Sequence, residues 1–190
     1  VMKKWGEIPQ FDFPIQDHVE IGKRLDLIDI ERAVKVTGKR FYFLKNEAVL
    51  LEFALIQMAL EYLIKKGFTP FITPELAKTR TLFGTGYLPW FKDDIYKVTT
   101  HGENDNEELS LIGTSEQMLV GYHADETIDE KKLPLKYAGF SSCFRTEDGS
   151  YGKDTRGILR VHQFDKVEQI IFCAPEDSEE WQLKCIKNEE

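Results

Sequence analysis

The stretch from Phe144 to Glu168, FRTEDGSYGKDTRGILRVHQFDKVE, brings together side chains suited to handling a nucleotide beside a small cation-bearing molecule. Arg145 and Arg160 can make forked hydrogen bonds to phosphate. An exposed Phe164 can stack on a purine, and Glu168 can hold an ammonium or a hydroxyl. Neither a Walker loop nor a GxGxxG precedes a helix in this chain, so ATP would not be cradled at a helix N-terminus in the usual way. The cations of the stretch (Arg145, Lys153, Arg156, Arg160, Lys166) are matched by as many anions (Glu147, Asp148, Asp154, Asp165, Glu168). A solvated sheet face laced with cross-strand ion pairs would show the same pattern, and the residues alone leave both readings open.

Positioning such groups requires two extended segments. Side chains alternate between the faces of a strand. In the second segment Arg160, His162, Phe164, Lys166 and Glu168 then share one face, with roughly 13 Å from Arg160 to Phe164 and again from Phe164 to Glu168. In the first segment Ser141, Cys143, Arg145 and Glu147 share a face, while Phe140, Ser142 and Phe144 take the other. The apolar side is free to pack on helices. The pattern predicts long strands over 135–145 and 158–174, and short ones over 41–44, 68–73, 95–98 and 109–113. The strongest helix spans 47–67, where Leu51, Ala54, Leu55, Met58, Tyr62 and Leu63 follow the three/four spacing of core or interface residues and Gly67 closes it. Shorter helices are predicted over 25–38, capped by Asp29 and stopped by Gly38, and over 115–124, capped by Thr114 or Ser115. A last helix begins in PEDSEEWQLKCIKNEE. Residues 1–24 read as an irregular lead-in and 81–91 as an ordered loop. Strands joined partly by hairpins and partly by helices give an α+β class with a mainly antiparallel sheet.

The 190 residues suffice for one domain with a sizeable core. No apolar run has the length of a membrane span, and VMKKWGEIPQ lacks the apolar core of a signal peptide. Cys143, Cys173 and Cys185 form no CxxC pair and are odd in number, which points to reduced thiols and a cytoplasmic setting. A net charge of −8 disfavours bulk nucleic-acid binding, so any such contact needs a local patch or residues beyond these. His18, His101, His123 and His162 are scattered without metal-ligand spacing, and no metal site is expected within the chain. His162 reads as a packing or hydrogen-bonding residue, and the cysteines as small core residues.

The charged stretch resembles motif 2 of the class II aminoacyl-tRNA synthetases, in the form found in seryl-tRNA synthetases. Further segments extend the likeness along nearly the whole chain. HVEIGKRLDLIDIERAVKVTGKRFYFL resembles the opening of that catalytic domain. GFTPFITPELAKTRTLFGTGYLPWF resembles motif 1, with Pro74 as its central proline. LIGTSEQMLVGYH resembles the serine-binding TSE segment. The whole chain is thereby expected to be the N-terminal part of a class II catalytic domain, with a lead-in over 1–46, the motif 1 region over 47–91, the serine-binding segment over 109–124 and the motif 2 hairpin over 135–174.

The resemblance implies an antiparallel sheet flanked by helices, and a two-step reaction in which L-serine is activated by ATP and passed to tRNA(Ser). Arg145 is implied as the catalytic residue, bridging the α-phosphate and the serine carboxylate. Thr114, Ser115, Glu116, Arg145 and Glu168 are implied for serine. Arg145, Thr146, Glu147, Arg160, Val161 and Phe164 are implied for ATP, with Phe164 stacked on adenine, the Val161 backbone at its edge and Glu147 near its adenine or ribose end. The loop 148–157 should close over ATP and meet the tRNA acceptor end, its glycines permitting movement. A homodimer through the motif 1 region is implied as well.

Two parts of the family pattern have no counterpart in these residues: an N-terminal coiled-coil arm and motif 3. The latter would supply a second ATP-binding arginine and the main Mg²⁺ ligands. The chain is therefore expected to be weakly active or inactive by itself. Two other readings stay open, a class II-like binding or dimerisation module without catalysis and an amino-acid ligase that loads a carrier protein.

Overall fold

The computed structural model describes residues 4–99, 108–147 and 156–190. Among the described residues, eight strands and six α-helices follow in order: α1 (His18–Arg24), β1 (Ile28–Asp29), α2 (Ile30–Val36), β2 (Phe43–Leu44), α3 (Glu47–Lys65), β3 (Thr69–Ile72), β4 (Leu76–Lys78), α4 (Thr79–Gly84), β5 (Lys97–Val98), β6 (Leu109–Leu111), α5 (Glu116–Gly121), β7 (Leu135–Phe144), β8 (Gln163–Phe172) and α6 (Ser178–Glu189).

Local chemistry sets the helix ends. Asp29 caps α2 by accepting from the Arg32 amide at 3.0 Å, and Asp17 caps α1 by accepting from Glu20 at 2.9 Å. The long helix α3 ends as its sequence predicts. Gly67 takes a φ of +82°. Its amide donates to the Ile64 carbonyl at 2.8 Å, and the next amide, Phe68, reaches Leu63 at 3.0 Å. This paired closure satisfies two orphan carbonyls and turns Phe68 back onto Leu63. Both residues are buried and pack with Ala138 of β7. Each such large side chain contributes roughly 1.5–3 kcal/mol on burial.

The central sheet has the order β3–β7–β8. β7 and β8 run antiparallel, with Gly139 opposite Glu168, Ser141 opposite Lys166 and Cys143 opposite Phe164. The sheet is nevertheless mixed, because β3 runs parallel to β7. The ladder leaves two distinct faces. Ala138 and Val167 meet α3, and Gln169 bonds to α6 through the Cys185 carbonyl and Asn188. The opposite face carries Ser141, Cys143, Phe164, Lys166 and Glu168, and α5 closes one end of it at Gly139. A Cβ on Gly139 would lie 2.6 Å from Leu119 and 2.7 Å from the Ser115 hydroxyl. A second sheet, β4–β6–β5, is antiparallel and encloses Ala77, Leu82 and Ile112. The Phe144 amide donates to the Ile112 carbonyl at 2.8 Å and ties the ends of the two sheets together.

Several boundaries differ from the sequence expectation. The lead-in contains a capped helix, α1. The segment expected as a loop over 81–91 begins inside α4, which buries Leu82. The second long strand starts at Gln163 rather than at residue 158, because the preceding backbone bonds elsewhere: the His162 amide donates to the Arg40 carbonyl at 3.1 Å. Arg160 and His162 are therefore outside the alternating strand. The shared face holds for Phe164, Lys166 and Glu168. Expectations on His101, Gly149, Gly152 and residues 148–155 of the loop lie outside the described residues. Among the described residues no helix is long and apolar enough to cross a membrane.

Candidate active site

The site forms where β6 runs into α5 and both abut the β7–β8 ladder. Ser115 occupies the cap position of α5, but its side chain does not cap the helix. The Thr114 hydroxyl oxygen accepts from the Glu116 amide at 3.3 Å, and a second acceptor comes from β8. Glu168 Oε2 accepts from the Glu116 amide at 3.1 Å, from the Ser115 hydroxyl at 2.8 Å and from the Thr114 hydroxyl. Glu168 Oε1 pairs with Lys166 Nζ at 2.8 Å. Burial alone would raise the proton affinity of this carboxyl. The bonds from Lys166, Thr114 and Ser115 outweigh burial and hold it below the ordinary glutamate range.

Thr114 and Ser115 are fully buried and reach Glu168 from beneath. Glu116 is exposed and accepts from the Tyr87 hydroxyl at 3.2 Å. Burial, then the Glu116 carboxylate beside it, pushes the Tyr87 phenol above its ordinary range. Tyr87 also borders a cavity of about 170 Å³, shared with Phe91, Gly113, Gln117 and Arg145. The Gln117 side chain is buried and accepts from the Gly113 amide at 3.2 Å, which fixes the turn between β6 and α5.

Arg145 leaves the end of β7 and lies over Phe164, with its guanidinium carbon 5.4 Å from the ring centroid. Its Nε and Nη2 donate to the Gly113 carbonyl at 3.3 and 3.2 Å. Arg145, Phe164 and Glu168 thus line one continuous face. The other residues implied for ATP are anchored beside it. Thr146 Oγ1 donates to the Asp93 carbonyl at 2.6 Å, and the Glu147 amide donates to Asp94 at 2.8 Å. Glu147, with φ +54°, pairs through its carboxylate with Arg160. Val161 is buried, and His162 lies between the rings of Phe41 and Tyr96 with Nδ1 3.0 Å from the Arg145 carbonyl.

Sequence reasoning missed Tyr87, Asp94 and Gln117. Only their placement shows their part: Tyr87 and Asp94 meet the start of α5 and the hairpin across a long stretch of chain, and Gln117 folds back onto Gly113 within the β6–α5 turn. A cavity of about 700 Å³ lies between α3, β8 and α6. Met58, Tyr62, Leu63 and Val167 line it together with Lys166 and Glu168, whereas Arg145 and Phe164 do not. All three cysteines are free thiols, Cys143 buried and the other two half-buried. Among the described residues no group of three or more His, Cys, Asp or Glu side chains could hold a metal ion.

The mixed sheet with its long antiparallel hairpin has counterparts among known proteins. A sequence model of the tRNA synthetase class II core domain (G, H, P, S and T) matches residues 96–190, and the chain belongs to that family. Within it the likeness is to the serine enzymes. The chain is 52% identical over 180 residues to the serine–tRNA ligase of Dictyoglomus turgidum, a match covering 94% of this chain and 41% of that protein. It superposes on the seryl-tRNA synthetase of Pyrococcus horikoshii, crystallised with ATP, with a TM-score of 0.85 and 47% identity, over 93% of this chain and 38% of that one. For the cytoplasmic serine–tRNA ligase of Naegleria fowleri, crystallised with AMP, the values are 0.82 and 39%, over 90% and 39% of the two chains. The chain spans about two-fifths of the length of the curated relatives it matches.

Proposed function

We propose that the protein carrying these residues is a serine–tRNA ligase, a cytoplasmic enzyme that uses ATP, L-serine and tRNA(Ser). The observation that carries the reading is the convergence of Thr114, Ser115 and Glu116 on Glu168, beside Arg145 over Phe164. In the first step a serine carboxylate oxygen attacks the α-phosphorus of ATP. The bond to the β-phosphate oxygen breaks, and pyrophosphate leaves with the electron pair. In the second step a hydroxyl of the terminal tRNA ribose attacks the seryl carbonyl and AMP leaves. Neither step needs a nucleophile from the protein, so catalysis rests on orientation and on charge stabilisation.

Arg145 is proposed to bridge the serine carboxylate and the α-phosphate through its planar fork. Phe164 is the stacking surface for adenine, with the Val161 backbone at the base edge. Thr146, Glu147 and Arg160 complete the nucleotide side. Thr114, Ser115, Glu116 and Glu168 form the serine side, with Glu168 as the acceptor for its amino or hydroxyl group. Donors already surround that carboxylate, so bound serine would have to share or displace one of them, and Lys166 is the most exposed of them whose charge serine's ammonium could replace. The Mg²⁺ implied for the reaction supplies charge neutralisation on the phosphates. The described residues offer no cluster to hold it, and the steps above use the chain's own groups.

The same reading makes the protein a homodimer through residues 47–91. In support, this region exposes Leu51, Phe53, Met58, Ile72 and Trp90. The test is serine-dependent exchange of labelled pyrophosphate into ATP by the natural protein that carries this chain. Exchange that requires serine supports the ligase. No exchange with any amino acid would leave a binding module instead.

A further inference from the structure

The amino-terminal segment touches the motif 2 hairpin at both of its described ends. On the return side, the Ile158 amide donates to His18 Nε2 at 3.2 Å. An amide N–H can only donate, so the imidazole accepts there and carries its own proton on Nδ1. Beside this contact, Arg156 Nη2 lies 3.1 Å from Asp17 Oδ2, on the residue that caps α1. Gly157, between the two, has a φ of +78°, and a Cβ there would stand 1.9 Å from His18 Nε2. Only glycine lets the backbone come this close to the ring. On the outgoing side, Arg40 Nη1 donates to the Glu147 carbonyl at 3.2 Å, and the Arg40 carbonyl accepts from His162.

From these contacts we infer that His18 is a positioning residue for the nucleotide half of the site. It fixes the backbone at Gly157–Ile158, and through it the Arg160 cation and the Val161 backbone two and three residues further on. Asp17 holds Arg156 in the same orientation, and the Arg40 contacts fix the opposite limb. His18 and Asp17 bond to the limb that leads to Arg160 and Val161, on the nucleotide side, so the effect falls on ATP. The inference deepens the proposed ligase reading and rests on it.

The experiment uses the natural protein that carries this chain, as wild type, His18→Phe, His18→Gln and Asp17→Asn. Phenylalanine keeps a ring without an acceptor, glutamine restores an acceptor oxygen, and asparagine still caps α1 but loses the ion pair. Pyrophosphate exchange gives KM for ATP and for serine separately, and amide hydrogen exchange reads Ile158 directly. His18→Phe should raise KM for ATP about five- to tenfold, the order of one lost hydrogen bond, leave KM for serine unchanged, and deprotect the Ile158 amide. His18→Gln should recover both, and Asp17→Asn should show a smaller rise for ATP. Equal protection of Ile158 in wild type and His18→Phe, or equal rises in both KM values, would overturn the inference. If wild type exchanges no pyrophosphate, the ligase reading fails; Ile158 protection unchanged by His18→Phe would then remove the positioning contact as well.

Discussion

Glu168 concentrates the electrostatics of the site in one side chain. Its lowered proton affinity means that it binds a proton more readily unfolded than folded, so it adds stability above the ordinary glutamate range. That contribution fades as pH falls through the lower value of the folded state. In urea unfolding, Glu168→Gln should therefore be less stable than wild type by about 2–4 kcal/mol at neutral pH, with the gap narrowing in acid. A gap that widens in acid would contradict this sign. Arg145 belongs to the same scale but to the reaction. Arg145→Lys keeps the charge and loses the fork, and steady-state exchange should fall by roughly 10²–10³-fold with little change in melting temperature.

At the scale of elements, the site depends on how closely α5 meets the ladder. Gly139 lies opposite Glu168 and leaves no room for a methyl group between Ser115 and Leu119. Gly139→Ala should destabilise the fold by about 1–3 kcal/mol in chemical denaturation, and should raise KM for serine more than KM for ATP. An unaltered midpoint would show that α5 shifts freely. The helices α2 and α3 and the β7–β8 hairpin were legible in the sequence because their signals are local: Asp29 at a cap, Gly67 after two lysines, alternation over Phe164, Lys166 and Glu168. The parallel pairing of β3 with β7 was not, since it joins residues far apart in the chain and leaves no periodic trace. The start of β8 was misplaced for a similar reason, because Arg40 takes the bond that a longer strand would have used. Alternation placed Phe164 and Glu168 on one face, and the family resemblance proposed Arg145 beside them. Tyr87 and Asp94 became visible only once distant segments met, and Gln117 only once the β6–α5 turn was folded.

For the whole molecule, the exposed side of α3 is the feature that a monomer leaves unexplained. Leu51, Leu55 and Met58 each remain more than half exposed, at 60%, 52% and 62%. If this face meets its own copy, sedimentation velocity should show a dimer for wild type and a monomer for the double variant Leu51→Glu, Met58→Glu, since a buried unpaired carboxylate is strongly unfavourable. A monomeric wild type would remove the dimer from the account.

The central claim is that Arg145, Phe164 and Glu168 serve one ligand, and the most direct measurement is calorimetric titration with a non-hydrolysable seryl-adenylate analogue. Wild type should bind it tightly, and Arg145→Gln, Phe164→Ala and Glu168→Gln should each weaken binding by about tenfold or more while remaining folded. Phe164→Ala should also weaken ATP, and Glu168→Gln should not. If any one of the three variants binds the analogue as wild type does, that residue faces a different site and the shared-cleft account is contradicted.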